Sequence, residues 1–403
     1  MRSYYRFLLT HPRILGFGVV LTLFSSFGQT FLISIFVPTI LSELGLTTGC
    51  FGALYGGATV ASALCLPFFG RLLDRLQLSY YTLFVGVGLM LSCFTVGLAP
   101  NAAVLFVGLF GLRLTGQGLL GLTASTAMAR LFTRERGRAL SISALGYPLG
   151  EGVLPLAVVL LISVFGWRVS WGILGVFIGV VLLPLIVPLL RHAPVPGFED
   201  ESTSGASDIV IPKQKLLHDP RFYLLLPASL SLAFVLTGLF LYQLPLADYK
   251  GWTPALMASA FIAFAATRMI CGIAIGPVID RTGAVRLIPY YLLPVCAGLA
   301  LLAWAPGTWP AFAFLGLAGV SQGAASTIMT AVWVEIYGRD ALGSIKSVVA
   351  MFGVLSTAAS PMLMGALLQM GVSFAVLVPA CLIICIVACL LSLAAQRRIV
   401  GSG

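Results

Sequence analysis

Long apolar stretches, separated by short polar segments, recur along the whole chain. A helix that crosses a bilayer needs about 20 predominantly apolar residues. Such a helix also satisfies every backbone hydrogen bond internally, as lipid demands. The pattern therefore predicts an all-α membrane protein with twelve spans, which we number in chain order. Their predicted bounds are 14–40, 48–70, 80–98, 102–129, 139–165, 170–190, 222–246, 254–278, 287–305, 309–331, 346–370 and 373–395.

Composition excludes a soluble globular protein. Of the 403 residues, 59% are hydrophobic and 9% are charged, and the mean hydropathy is +1.05. Soluble domains carry about 25% charged residues. The first span is too long for the apolar region of a cleavable signal peptide, so we expect it to remain as a membrane helix.

The net charge of +10 is distributed asymmetrically. If the N-terminus is cytoplasmic, 19 of the 23 Lys and Arg residues face the cytoplasm, and only Arg168 and Lys250 lie outside. This asymmetry follows the positive-inside rule. It predicts cytoplasmic termini in a plasma membrane, with a bacterial inner membrane as the favoured location, and it argues against a nucleic-acid partner.

The eight cysteines show no metal-ligand spacing. The three histidines, at 11, 192 and 218, all lie outside the predicted spans. We therefore expect no metal site, no cofactor and no histidine proton relay inside the membrane.

An internal repeat relates the two parts of the chain. The segment GRLLDR at 70–75 returns as GPVIDR at 276–281, an offset of 206 residues. The same offset pairs Gly45 with Gly251 and Thr47 with Thr253. A repeat of this length predicts two parallel six-helix halves. We place them at 1–190 and 222–403, joined by a flexible polar cytoplasmic linker at 191–221.

Twelve spans, a central polar segment and two copies of G-x-x-x-D-R resemble the major facilitator superfamily. The resemblance covers essentially the whole chain. It implies transport by alternating access, with the substrate near the membrane midplane between the halves. It also implies that residues of the two loop motifs gate the cytoplasmic side, the Asp near a helix N-terminus and the Arg paired with acidic groups. These residues are Asp74, Arg75, Asp280, Arg281 and Arg286.

The two loop motifs are not equally complete. The second keeps the later glycine and basic residue, Gly283 and Arg286, whereas the first has LQLSYY at the corresponding place. Ordinary positive-inside anchoring is the alternative interpretation of both motifs.

Three charged residues lie near mid-depth in the predicted spans: Arg113 in span 4, Glu151 in span 5 and Arg268 in span 8. A charge at the centre of a spanning helix costs about 2.5–3.5 kcal/mol on insertion scales, and such residues usually face a cavity or a partner. Spans 4 and 5 are consecutive, so we predict an ion pair between Arg113 and Glu151. The pair could be purely structural, or Glu151 could take up a proton when it breaks.

Arg268 has no acidic residue close to it on its own span. Because a guanidinium binds carboxylate through a planar two-pronged contact, Arg268 is a candidate anion receptor. Its place in span 8 is similar to an arginine of the monocarboxylate carriers and oxalate/formate exchangers of this superfamily. The chain departs from the animal monocarboxylate carriers at two positions, with no lysine in span 1, where Gln29 is the strongly polar residue, and Phe264 in place of an aspartate. A structural role for Arg268 is the alternative.

Several uncharged polar residues complete the predicted substrate site, because Tyr and Gln orient ligands in apolar pockets. Each could equally be a helix-packing residue, and the two on span 7 lie near its outer end, where interfacial tyrosines are common. The residues are Gln29, Tyr55, Tyr147, Tyr242, Gln243 and Gln322.

These features favour a secondary transporter of a small organic anion, with or without proton coupling. A proton-driven exporter of drugs or other metabolites is the alternative, since the same fold serves both. A receptor, scaffold or enzyme is disfavoured because no appended domain, nucleophile–base pair or metal cluster is evident. The expected partners are an anionic small molecule and lipid, and we expect a monomer.

Overall fold

The computed structural model describes residue 7 and residues 9–132, 135–190, 219–338 and 342–400. Over these residues the chain is almost wholly helical and contains no strand. It divides into two compact units, Met1–Thr203 and Ser204–Gly403. The predicted linker lies outside the described residues except for 219–221, where Asp219 caps a helix by accepting a hydrogen bond from the Arg221 backbone N–H at 2.8 Å.

The first unit contains spans 1 to 6. Spans 5 and 6 form one long helical stretch that is interrupted at Gly166, whose φ of 72° is outside the helical range. The bounds in this unit are Pro12–Gly28 with Thr30–Leu44 (span 1), Thr48–Arg75 (span 2), Leu78–Gly97 (span 3), Ala102–Leu131 (span 4) and Arg136–Leu190 (spans 5 and 6).

The second unit contains spans 7 to 12. Span 7 is followed by a short helix, Gln243–Tyr249, and another short helix, Ala284–Leu287, precedes span 9. The bounds are Pro220–Leu241 (span 7), Pro254–Thr282 (span 8), Leu293–Trp304 (span 9), Trp309–Tyr337 (span 10), Leu342–Gln369 (span 11) and Phe374–Val400 (span 12).

The predicted all-α membrane fold with twelve spans is confirmed. Nine helices of the described chain are long and apolar enough to cross a bilayer, and the bent pair of span 1 makes a tenth. Gly166 divides the longest of the nine in two, and the short apolar helix Leu293–Trp304 supplies span 9. Large apolar side chains remain exposed along these helices, as lipid-facing surfaces require.

The internal repeat encodes the same local structure in both units. Gly45 and Gly251 both adopt positive φ, 61° and 69°, which glycine reaches without steric cost. Two residues later, Thr47 and Thr253 each cap the next helix, accepting backbone N–H bonds at 3.1 and 3.2 Å. Spans 2 and 8 therefore begin in the same way, with a positive-φ glycine followed by a threonine N-cap.

Span 1 is not the continuous helix that the apolar pattern predicts. It bends by 46° between Gly28 and Thr30, where Gln29 has extended backbone angles (φ −84°, ψ 151°). Short 3₁₀ segments flank this break, Ser25–Gly28 before it and Ser34–Phe36 after it. The break ends the regular hydrogen-bond ladder and leaves carbonyl groups available to other partners.

Span 4 is irregular at the same depth. Its central turns, Leu112–Leu120, form a π-helix, a feature that is often found at functional sites. In the second unit, spans 8 and 10 make the most extensive helix–helix contact. Gly319 and Gly323 of span 10 lie against the backbone of span 8, at Phe264 and Arg268, because small residues let helices approach closely.

Candidate functional site

The break in span 1 lies directly against the π-helix of span 4. An added Cβ at Gly28 would overlap the Leu112 carbonyl oxygen, and one at Gly116 would lie 2.8 Å from the Gly28 Cα. The two backbones therefore touch, and only glycine fits at either position. This contact places Arg113, one residue into the π-helix, beside the broken turn.

Arg113 is 3% exposed, and its side chain is held by span 1 and span 2. One guanidinium nitrogen donates to the Gly28 carbonyl at 3.2 Å, and the guanidinium carbon lies 5.0 Å from the centre of the Tyr55 ring. The Tyr55 hydroxyl is 2.7 Å from the Thr30 hydroxyl, just after the break. The Arg113 Nε has no hydrogen-bond partner among the described residues.

These contacts differ from the predicted ion pair. The ion pairs found among the described residues join Arg130 to Asp74, Arg138 to Glu135 and Arg168 to Glu43. The predicted Arg113–Glu151 pair is not formed. Arg113 instead contacts the Gly28 carbonyl, which the break in span 1 exposes, and the aromatic face of Tyr55 on span 2.

Glu151 is 7% exposed and lies in span 5. The preceding residue, Gly150, packs on the side chain of Ser26, just before the break in span 1. The Ser26 hydroxyl has no hydrogen-bond partner among the described residues. Glu151 is therefore a buried carboxyl group next to the contact between span 5 and the broken part of span 1.

Gln29 and Tyr147 lie around the same region. Gln29 occupies the break itself, is half-buried, and donates to the Ser25 hydroxyl at 3.5 Å. Tyr147 is half-buried, and its hydroxyl lies against Gly121, where an added Cβ would be 2.7 Å away. Of the predicted site residues, the structure thus groups Gln29, Tyr55 and Arg113 at the break, with Glu151 and Tyr147 on span 5.

In the second unit, Arg268 is half-buried rather than enclosed. Its guanidinium carbon lies 6.0 Å from the centre of the Phe264 ring, one turn earlier. Its backbone carbonyl abuts Gly323 of span 10, and Gln322, beside that glycine, is also half-buried. Thr267 reinforces the contact by donating to the Gly316 carbonyl at 2.7 Å. The backbone of Arg268 is therefore fixed while its side chain stays accessible.

Of the two alternatives to a substrate contact at Tyr242, helix packing and an interfacial position, the structure shows helix packing. It is fully buried, and its hydroxyl donates to the Pro361 carbonyl of span 11 at 3.1 Å. The residue ends span 7 with non-helical angles (φ −105°, ψ 28°), and Gln243, also buried, begins the next helix. This hydrogen bond joins spans 7 and 11 at a helix junction.

The loop motifs also behave differently from each other. Asp74 pairs with Arg130 at 2.5 Å, with both side chains exposed to solvent. In the second unit, the carboxylate of Glu335 on span 10 lies at the N-terminus of the short helix Ala284–Leu287. It accepts from the Ala284 and Val285 backbone N–H groups at 2.7 and 3.0 Å.

The resemblance implies that the motif aspartate lies near a helix N-terminus of its own unit, but at the start of the short helix Ala284–Leu287 the carboxylate is that of Glu335. Asp280 is exposed, as are the remaining motif residues Arg75, Arg281 and Arg286. Asp280 lies in the last turn of span 8, whereas Glu335 on span 10 faces the two N–H groups that open the short helix.

Sequence reasoning missed Gly28, Thr30 and Glu335. The Ser-Ser-Phe-Gly run at 25–28 was a usable signal, because Ser and Gly together favour kinks in helices. Nothing in the sequence marked Glu335, since its partners are backbone N–H groups.

The chain matches one protein-family model and several solved structures. The family model described as Major Facilitator Superfamily matches residues 19–273 and 241–400. Among curated proteins, none matches.

Solved transporter structures share the fold. A bacterial homolog of the human lysosomal transporter Spinster, inward-facing and occupied, is 17% identical, with a TM-score of 0.71 over 95% of this chain and 96% of that chain. Its inward-facing and unoccupied form gives 16% identity and 0.73, over 96% and 97%. The nucleoside transporter NupG gives 14% identity and 0.71, over 96% and 98%. At these identities the likeness concerns the fold.

Proposed function

The chain belongs to the major facilitator superfamily, and from that premise we propose that it is a secondary transporter of a small organic anion, a carboxylate, working by alternating access. The family makes it a membrane transporter and not an enzyme. The substrate class is the part that we propose. The observation that carries it is a half-buried arginine, Arg268, inside an apolar span.

Arg268 has the properties of an anion receptor. Its guanidinium stays charged in proteins and is partly exposed, so an incoming ligand has access to it. Helix packing at Gly323 holds its backbone in place, which reduces the ordering cost of binding. Its fork of N–H donors matches a carboxylate.

Arg113 supports the same charge preference from the first unit. Its guanidinium is already held by Gly28 and Tyr55, so we assign it a positioning role. It contributes positive charge in a region of low dielectric, where electrostatic interactions are stronger than in water. Counted over the predicted spans, two mid-depth arginines and one mid-depth carboxyl, Glu151, leave a net positive charge, which favours an anion over a cation as substrate. Of the six uncharged side chains predicted to contact substrate, Gln29, Tyr147 and Gln322 are half-buried, whereas Tyr55, Tyr242 and Gln243 are buried.

The coupling residue that we propose is Glu151. Glu151 is 7% exposed, and burial makes the ionised form of a carboxyl group costly, so changes in its surroundings during transport would drive proton uptake and release. We retain cytoplasmic termini and a bacterial inner membrane as part of the proposal, on the positive-inside distribution.

Transport into proteoliposomes tests the substrate class. A panel of radiolabelled mono- and dicarboxylates is offered with and without an imposed pH gradient. We expect uptake of at least one carboxylate, and a loss of at least tenfold in Arg268→Ala. The matched control is Met269→Ala, the next residue, which is an apolar side chain that is 38% exposed. Full transport by Arg268→Ala would overturn the anion-receptor role.

Proton coupling is tested with Glu151→Gln, which removes the charge and keeps the shape. We expect pH-driven accumulation to disappear while exchange of labelled for unlabelled substrate persists. Glu135→Gln, an exposed carboxylate outside the apolar spans, serves as the control. Unchanged accumulation in Glu151→Gln would refute the coupling role.

The second candidate function is a proton-driven exporter of drugs or metabolites. The buried Glu151 also fits this function, because a proton-driven exporter needs a titratable group for coupling more than it needs an anion-binding arginine. Efflux of hydrophobic cations from the same proteoliposomes, together with no carboxylate uptake, would favour this candidate.

A further inference from the structure

We infer that the second unit carries a binding site for the phosphate headgroup of an anionic phospholipid, at the predicted cytoplasmic ends of spans 9 and 12. The site is a groove of about 730 Å³, which we call the basic groove. It is distinct from Arg268 and does not depend on the transported substrate. It is lined by Thr282, Arg286, Leu287, Tyr290, Leu393, Gln396 and Arg397.

The charge of the basic groove selects an anion. Arg286 and Arg397 line it, and no acidic residue does. Both arginines are exposed, and within the described chain neither takes part in an ion pair. A phosphodiester offers the acceptor oxygens that guanidinium groups bind most strongly.

A hydrogen bond joins two of the elements that line the groove. The Gln396 side-chain amide of span 12 donates to the Arg286 backbone carbonyl at 3.5 Å. Span 9 is also in contact with span 12. The two arginines are therefore held on facing elements, one on the short helix Ala284–Leu287 and one on the last turns of span 12.

The surroundings of the groove distinguish a lipid from a free phosphate. Directly beyond it towards the membrane, Leu293 of span 9 is 49% exposed and Leu390 of span 12 is 60% exposed. Ile386, one turn further along span 12, is 42% exposed. Tyr290, 55% exposed, lies where the polar and apolar parts meet, a depth that tyrosine favours in membranes.

A phospholipid fits this arrangement at both ends. The headgroup phosphate lies between the arginines, and the acyl chains follow the apolar surface of spans 9 and 12. Basic pockets between spanning helices on the cytoplasmic side are suited to anionic headgroups, and the cytoplasmic leaflet is where anionic lipids concentrate.

Native mass spectrometry of the full chain tests the proposal. The protein is reconstituted in nanodiscs of phosphatidylcholine containing phosphatidylglycerol, extracted, and the lipids that remain bound are counted and titrated. Each arginine near an anionic headgroup is worth about fivefold in affinity. We expect Arg286→Ala and Arg397→Ala each to weaken retention by about that factor, and the double variant by roughly 20-fold or more.

Arg398→Ala is the matched control, because this neighbouring arginine is exposed but does not line the groove. It should retain lipid as the wild type does. Equal loss in Arg398→Ala would show a diffuse charge effect and overturn the site. Melting temperatures in pure phosphatidylcholine nanodiscs, expected to be unchanged, verify that each variant is folded.

Two further arms separate the possible sources of phosphate. Inorganic phosphate and water-soluble glycerophosphoglycerol are titrated against the lipid-bound protein. If either displaces the lipid at millimolar concentration, the groove is a site for a free phosphate and the lipid proposal is wrong. Retention of phosphatidylcholine as strong as that of phosphatidylglycerol would also overturn it.

Discussion

The contact between Gly28 and Gly116 is the structural basis of the Arg113 site, and it can be tested by adding one methyl group. In Gly116→Ala, the new Cβ would lie 2.7 Å from the Gly28 nitrogen and 2.8 Å from its Cα. Ordinary carbon contacts are about 3.5–4.0 Å. Both neighbours are backbone atoms, so spans 1 and 4 must separate by close to 1 Å.

The expected cost is that of overpacking. Inserting a methyl group into a well-packed interior typically costs about 1–3 kcal/mol. The substitution also gains helix propensity, which is worth about 1 kcal/mol for Gly to Ala. Gly172→Ala measures this gain separately, because an added Cβ at Gly172 meets no atom within 4 Å. A unit of this size changes its melting temperature by about 2–4 °C for each kcal/mol.

The assay is thermal unfolding of the purified protein in detergent, followed by circular dichroism and by a thiol-reactive dye. We expect Gly116→Ala to melt below the wild type by several degrees, and Gly172→Ala to melt at or above it. Transport should fall in Gly116→Ala, because the Arg113 hydrogen bond to Gly28 spans the separated contact. If the two single variants, Gly116→Ala and Gly172→Ala, had the same melting temperature, the close approach of spans 1 and 4 would be refuted.

Three other substitutions are expected to lower the melting temperature. Tyr55→Phe removes the partner of the buried Thr30 hydroxyl, which costs about 1–3 kcal/mol; an exposed tyrosine changed to Phe should have no effect in the same melting assay. Glu335→Ala removes the acceptor for two backbone N–H groups and should cost about 1 kcal/mol, whereas Glu335→Asp should recover part of the melting temperature. Arg168→Lys keeps the charge but loses the hydrogen bonds to Glu43 and to two backbone carbonyls, so it should melt lower by about 2–4 °C; an unchanged melting temperature would contradict this role.

The pairing of Arg113 shows where sequence reasoning reached its limit. The apolar pattern correctly identified it as an intramembrane charge that needs a partner. The nearest acidic residue in the neighbouring span, Glu151, was the evident choice. The acceptor in the structure is the Gly28 carbonyl, and every residue has a carbonyl. It becomes an available partner only because span 1 breaks at that depth.

Other features of the protein follow directly from local sequence patterns. The number and type of the spans followed from apolar stretches alone, because lipid requires every backbone group to be satisfied within the segment. The glycine and threonine pairs of the repeat, such as Gly45 and Thr47, also act through bonds only a few residues apart. Such local patterns can be interpreted from the sequence alone, because the interactions involved join residues that are close in the chain.

The partners of individual side chains depend on which helices pack together, so only the tertiary structure could identify them. The sequence left Tyr242 open as a substrate contact, a packing residue or an interfacial tyrosine, and packing buries it against span 11. Nothing in the sequence marks Glu335 as the acceptor at the start of the short helix Ala284–Leu287, yet the packing of span 10 brings it there. Composition and periodicity state that a residue is polar and at what depth it lies. They do not state which neighbour faces it, because that is decided by the packing of helices far apart in the chain.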